Sequence, residues 1–223
     1  TIGTGLRAVG IHATLGPVAD LDDGPYDTII GDRSFGGAAA VATPAAVAFT
    51  QGLHARGTMA VAKHFPGYAG AGDTHSTTAA VELDGDELAD DLGVFEALIE
   101  AGVDAVMVGH VSYETFGGVP ASIDPEVYER LRATGFDGVA VTDSLGMGAV
   151  HRERSHGGAA VAALRAGADL VLANQGSEAA IEMRDAIMDA VATGELPRDR
   201  VDQAVRRVML LRARQAEVAA SCR

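Results

Sequence analysis

Short apolar runs rich in Val, Ile and Ala alternate along this chain with longer stretches in which apolar positions recur every three or four residues. The first pattern predicts strands buried on both faces and the second amphipathic helices, and their alternation predicts βα units around a parallel sheet. Five strands are read, near residues 10–21, 58–64, 103–110, 138–143 and 168–172. Helical patterns occupy residues 38–55, 86–101, 125–133, 157–166, 177–193 and 198–214. Gly57, Gly102, Gly135 and Gly167 stand where a helix C-cap favours glycine. No low-complexity linker or charge block divides the chain, so residues 1–223 are read as one α/β domain of the TIM-type (β/α) barrel class. A closed barrel has eight strands and about 250 residues, so about three units are unaccounted for and the barrel is expected to lack its N-terminal βα units. The chain opens at Thr1 without methionine, and part of the natural N-terminus is expected upstream.

Composition narrows the classes of function. A hydrophobic content of 48% over 223 residues supports one sizeable core. Apolar runs such as residues 103–108 are far shorter than the roughly 20 residues that cross a bilayer, so no membrane-spanning segment is expected. A formal net charge of −14, with the arginines scattered until the last helix, would repel a phosphate backbone and argues against nucleic acid as a partner. The single cysteine, Cys222, rules out an intrachain disulfide. It fits a reducing, cytoplasmic compartment, the alternative being a secreted or cell-wall-associated protein.

Polar residues collect just after the strands, where a barrel gathers its chemistry at one mouth. The first strand runs into Pro17-Val18-Ala19-Asp20 and a loop containing Gly31-Asp32-Arg33-Ser34-Phe35-Gly36. The next delivers Lys63-His64-Phe65-Pro66-Gly67, the third ends in Gly109-His110 and the fourth in Thr142-Asp143-Ser144. Any one of these can be a surface group or a helix N-cap. Four consecutive strands ending in ionisable groups point to a ligand, because each would otherwise be desolvated without return. His64, His75, His110 and Asp143 are all metal-ligand types, yet the chain lacks a His-x-His pair and Lys63 would oppose a cation, so no metal is expected. The later glycines Gly146 and Gly148 do not form a phosphate-cradling pattern.

Lys63-His64-Phe65-Pro66-Gly67, preceded by Arg33-Ser34-Phe35-Gly36 and followed by Thr142-Asp143-Ser144-Leu145-Gly146-Met147, resembles the β-N-acetylhexosaminidases of glycoside hydrolase family 3. The resemblance covers nearly the whole chain. It implies that Asp143 is the nucleophile that forms a covalent glycosyl-enzyme, and that Arg33, Lys63 and His64 hold the hydroxyls of a terminal N-acetylglucosamine. It further implies an acid/base histidine two positions after an aspartate, which Asp73-Thr74-His75 matches. The family string usually continues Lys-His-Phe-Pro-Gly-His-Gly-Asp-Thr, whereas Tyr68-Ala69-Gly70-Ala71-Gly72 intervenes here. A shortened, rearranged loop with the dyad kept is one reading; Asp73-Thr74 as the family's Gly-Asp-Thr, with the acid/base absent, is the other. The family's early strands and an Asp-x-Glu-Gly-Gly segment have no counterpart in these residues.

The chemistry fits independently of the resemblance. A retaining glycosidase needs a fixed carboxylate on one face of the sugar and a proton donor at the leaving oxygen. Asp143 at a strand end supplies the first. His75, oriented by Asp73, suits the second, since histidine titrates near working pH. No cofactor is required. The expected function is therefore hydrolysis of terminal β-linked N-acetylglucosamine from a small oligosaccharide or muropeptide. Phosphorolysis by the same residues, or sugar binding without turnover, are the alternatives.

Overall fold

The computed structural model describes residues 2–24, 28–68, 74, 80–81, 85–152 and 154–221. In chain order these form α1 (Ile2–Ala8), β1 (Ala13–Thr14), α2 (Ala39–His54), β2 (Met59–Phe65), β3 (Ala80–Val81), α3 (Gly85–Glu100), β4 (Ala105–Val108), β5 (Ser112–Tyr113), α4 (Pro125–Ala133), β6 (Val139–Ser144), α5 (Gly148–His151), α6 (His156–Ala166), β7 (Leu170–Leu172), α7 (Ser177–Thr193) and α8 (Arg198–Ser221). β1, β2, β4, β6 and β7 hydrogen-bond in that order, every pair parallel, giving the curled part-barrel sheet of an α/β barrel fold. β3 and β5 make a separate two-stranded parallel pair beside it.

All five expected barrel strands form. β1 has a ladder of only two residues because Pro17 has no N–H to donate. Its carbonyls continue the pairing: Lys63 N–H donates to Pro17 O at 3.1 Å, and Ala19 N–H donates to Lys63 O at 2.6 Å. α1 is not visible in the sequence pattern, since two of its seven residues are glycine. Packing explains one of them: a Cβ on Gly3 would stand 3.0 Å from Cβ of Arg56. α8 extends to Ser221, beyond the expected 214, because no glycine or proline interrupts the good helix formers of its last two turns.

The two faces of the sheet carry different partners. Ala60, Ala62, Val106, Val108 and Ala140 face the main core, where Phe65 meets Phe95 of α3 edge-on at 5.2 Å. Val61, Ala105, Met107, Val139 and Val141 face the other way and pack on Val208 and Leu211 of α8. Arg207 and Arg214 of α8 pair with Asp137 and Asp104, which stand just ahead of β6 and β4, so α8 crosses the sheet near the N-terminal ends of those strands.

Those N-terminal ends share a device. Asp104 and Asp169 each stand one residue ahead of a strand and accept a backbone N–H from the neighbouring strand, Ala60 at 2.9 Å and Ala140 at 3.0 Å respectively. His54 donates to Asp104 at 2.7 Å. Asp169, whose side chain is fully buried, binds Arg132 at 2.6 Å, Arg200 at 2.9 Å and Arg207 at 3.3 Å. The arrangement joins α4, α8 and the β6–β7 pair. Asp169→Ala is expected to destabilise the protein by about 3–5 kcal/mol, because it removes the buried carboxylate that neutralises Arg132 and Arg200 and leaves the Ala140 N–H without its acceptor. Urea unfolding of the variant checks this, and a loss below about 1 kcal/mol would contradict it.

Candidate active site

The chemistry-bearing side chains lie at the opposite, C-terminal ends of the strands. β2 is apolar until its last turn of pleat and then presents Lys63 and His64. His64 is buried, and its environment explains how: Nδ1 donates to Oδ2 of Asp20 at 2.8 Å, and its backbone N–H donates to the same carboxylate at 3.1 Å. Asp20, at the exit from β1, has no exposed surface. Since a carboxylate only accepts, this pairing places a proton on Nδ1 and aims Nε2 outward. Nε2 stands 3.7 Å from Oδ2 of Asp143, an ion-pair distance. Tyr68 packs edge-on against the His64 ring at 5.8 Å.

Asp143 is the fifth residue of β6, whose register on β4 runs unbroken from Val139 to Thr142. Oδ1 accepts the Ser144 N–H at 2.7 Å, and about one fifth of the side chain remains exposed. The backbone beyond it is also held. His110, buried at the end of β4, bonds Ser144 O through Nε2 and Ser122 Oγ through Nδ1, both at 2.8 Å, and Ser144 Oγ bonds Asn174 at 2.6 Å. His110 is thus a cross-link between strand ends. Among the described residues no group of three or more His, Cys, Asp or Glu is placed to hold a metal ion.

Lys63 is half-buried, and burial lowers its pKa, with Arg33 lowering it further and Asp143 and Asp20 opposing both. Arg33 ends a short 3-10 turn (Gly31–Arg33) and is steadied by Ile29 O at 2.6 Å and Ile30 O at 3.2 Å. Of the residues expected from the sequence, His64 and Asp143 are brought to 3.7 Å of each other, Lys63 precedes His64 on β2, and Arg33 lies within reach of the Lys63 charge. Asp73 and His75 lie outside the described residues. Thr74 between them is described: it is buried, its Oγ1 bonds Tyr68 Oη at 2.6 Å, and its carbonyl accepts the Ala149 N–H at 3.2 Å. The chain at the centre of the Asp-Thr-His string is thus moored between the exits of β2 and β6.

Two acids at this end are given no role by sequence reasoning. Asp20 reads as one more strand-end aspartate, with nothing to show that it holds His64 rather than a ligand. Asp91 sits within the apolar stripe Leu88, Leu92, Phe95 and Leu98 of α3, all buried, and a carboxyl at such a position is the signal that marks it.

The parallel part-barrel with a carboxylate, an imidazole and two cations at its C-terminal mouth has the form of a glycosidase catalytic domain. Residues 1–211 match the glycosyl hydrolase family 3 N-terminal domain, and the chain belongs to that family. It is 36% identical to the β-hexosaminidase LpqI of Mycobacterium tuberculosis over 219 residues, covering 94% of this chain and 56% of that protein. The fold superposes with a TM-score of 0.92 on a glycoside hydrolase family 3 β-N-acetylglucosaminidase from Paenibacillus sp. FPU-7, at 36% identity over 96% of this chain and 42% of that one. It superposes with a TM-score of 0.89 on a family 3 glycosyl hydrolase of Mycobacterium smegmatis, at 37% identity over 94% and 66% of the two chains. The chain spans about half the length of the curated relatives it matches.

Proposed function

We propose that this protein is a retaining exo-glycosidase that hydrolyses terminal β-linked N-acetylglucosamine, with peptidoglycan fragments as its natural substrates. The observation that carries the reading is the fixed Asp143 carboxylate 3.7 Å from a His64 that is itself locked by the buried Asp20. Membership of the family and the names of the relatives support the sugar.

In the first step a carboxylate oxygen of Asp143 attacks the anomeric carbon as the bond to the leaving oxygen breaks, and His75 gives that oxygen its proton. In the second step His75 takes a proton from water, the water oxygen attacks the same carbon, and the Asp143 carboxylate departs. Asp73 orients the imidazole and stabilises its charged form. Arg33 and Lys63 donate to the sugar hydroxyls, and His64 Nε2 accepts from one of them. The burial of Thr74, bonded to Tyr68 and Ala149, supports this assignment.

Release of nitrophenol from a nitrophenyl β-N-acetylglucosaminide by the full-length protein tests the reading, and no turnover would overturn it. The sugar product separates hydrolysis, which yields N-acetylglucosamine, from phosphorolysis, which yields its 1-phosphate only when inorganic phosphate is present. Alanine at Arg33, Lys63 or His64 is expected to lower kcat/KM by about 1.5–3 kcal/mol, the worth of a charge-assisted hydrogen bond. His64→Ala should also lower Tm, since it leaves the Asp20 carboxylate buried without its ring partner, whereas Arg33→Ala should not. Unchanged kcat/KM in all three variants would remove the sugar pocket from this mouth.

A further inference from the structure

Asp91 has no part in the chemistry above, although it is a buried carboxyl directly behind the mouth. Its Oδ1 accepts the N–H of Leu21, the residue after Asp20, at 3.3 Å. On its other side lies Gly67, where the chain leaves β2. A Cβ on Gly67 would stand 2.4 Å from Cβ and Cγ of Asp91, and Gly67 has a φ of +136°, so only glycine admits this approach. Gly67 is in turn tied to the site: its N–H donates to His64 O at 2.8 Å, and its carbonyl accepts from Tyr113 Oη. One side chain from α3 thereby touches the chain just beyond both members of the Asp20–His64 pair.

We propose that Asp91 is a positioning residue of the sugar pocket, fixing the exits of β1 and β2 so that Asp20 holds His64 towards Asp143. The inference rests on the glycosidase reading for its kinetic consequence but not for its structural one. Among the described residues, the charged and titratable groups that act on Asp91 are Asp20 from the β1 exit, Tyr113 from β5 and Asp90 on its own helix. Burial pushes the Asp91 carboxyl up to about 7; the Leu21 N–H opposes the rise, while Asp20 and Asp90 add to it. Below that pH the proton on Asp91 spares Asp20 a second negative charge. Above it the new carboxylate sits against Asp20, and His64 feels the change through the pair.

Two variants of the full-length protein test the proposal. Asp91→Asn keeps the volume and the acceptor for Leu21 N–H but cannot ionise, whereas Asp91→Ala loses all three properties. With nitrogen-labelled histidine, the His64 ring resonances of the wild type should respond to Asp91 with an inflection near pH 7 that Asp91→Asn removes. On a nitrophenyl β-N-acetylglucosaminide, Asp91→Ala should raise KM by about tenfold or more while lowering kcat less, and Asp91→Asn should restore KM to within about threefold of wild type. Persistence of the same inflection in Asp91→Asn, or wild-type KM in a folded Asp91→Ala, would overturn the proposal. The resonance measurement needs no substrate and no alanine variant. Absence of turnover in the wild type would therefore defeat the glycosidase reading without touching this one.

Discussion

Asp143→Ala should lose on the order of 10⁴-fold in kcat/KM, the scale seen when a residue that forms the covalent intermediate is removed. The fold should be unaffected. Asp143 is partly exposed, its carboxylate accepts only the adjacent Ser144 N–H among the described bonds, and the strand end is held independently by His110 on Ser144 O. Circular dichroism and Tm should match the wild type. A further consequence separates a nucleophile from a residue that merely binds. The alanine leaves a gap of carboxylate size on one face of the sugar, into which a small anion such as azide can fit and attack. The product would then be a glycosyl azide of α configuration, opposite to the substrate. Retention of more than about a tenth of wild-type kcat/KM would be incompatible with covalent catalysis by this residue.

His75→Ala should produce a loss that depends on the leaving group. A disaccharide expels a poor leaving group and needs its oxygen protonated as the bond breaks, so kcat/KM should fall about 10²–10⁴-fold, the range of general acid catalysis. A dinitrophenolate departs unaided, and kcat/KM for the dinitrophenyl glycoside should fall by less than about tenfold. The ratio of the two losses is the informative quantity. kcat/KM reports only the steps through formation of the glycosyl-enzyme, so the later need for a general base does not blur the comparison. Equal losses on both substrates would assign His75 a structural role. No loss on either would support the reading in which Asp73-Thr74 is the family's Gly-Asp-Thr and the acid/base is absent.

The elements of the fold were largely legible because they depend on local periodicity. The run from Ala105 to Val108 is uniformly apolar and uniformly buried, as a strand covered on both faces must be. Asp124 followed by Pro125 announces the start of α4, and in the structure Asp124 accepts the Glu126 N–H at 3.0 Å as its N-cap. α1 was not legible: Gly3 and Gly5 argue against helix, and packing of Gly3 on Arg56 and Thr58 and of Leu6 on the core holds the segment there. The small β3–β5 sheet was missed because two residues per strand carry no period.

The site divides along the same line. Ionisable residues at the ends of four strands were visible in the sequence because a parallel sheet sends all its C-terminal ends to one mouth, whatever the details of packing. That alone drew attention to Asp20, Lys63, His64, His110 and Asp143. Tertiary structure decided which of them face the mouth and which are bonded inward. His110 is spent on Ser122 and Ser144 O, while His64 is anchored by Asp20, 44 residues away, and keeps Nε2 towards Asp143. Asp91 meets Leu21 across 70 residues, and Asp169 gathers arginines from two helices. Such partnerships leave no periodic trace, because a side chain's partner is set by strand register and helix docking rather than by its neighbours in the chain. Strand and helix positions followed from local pattern; the distinction between a residue that braces the mouth and one that faces it followed only from the packed fold.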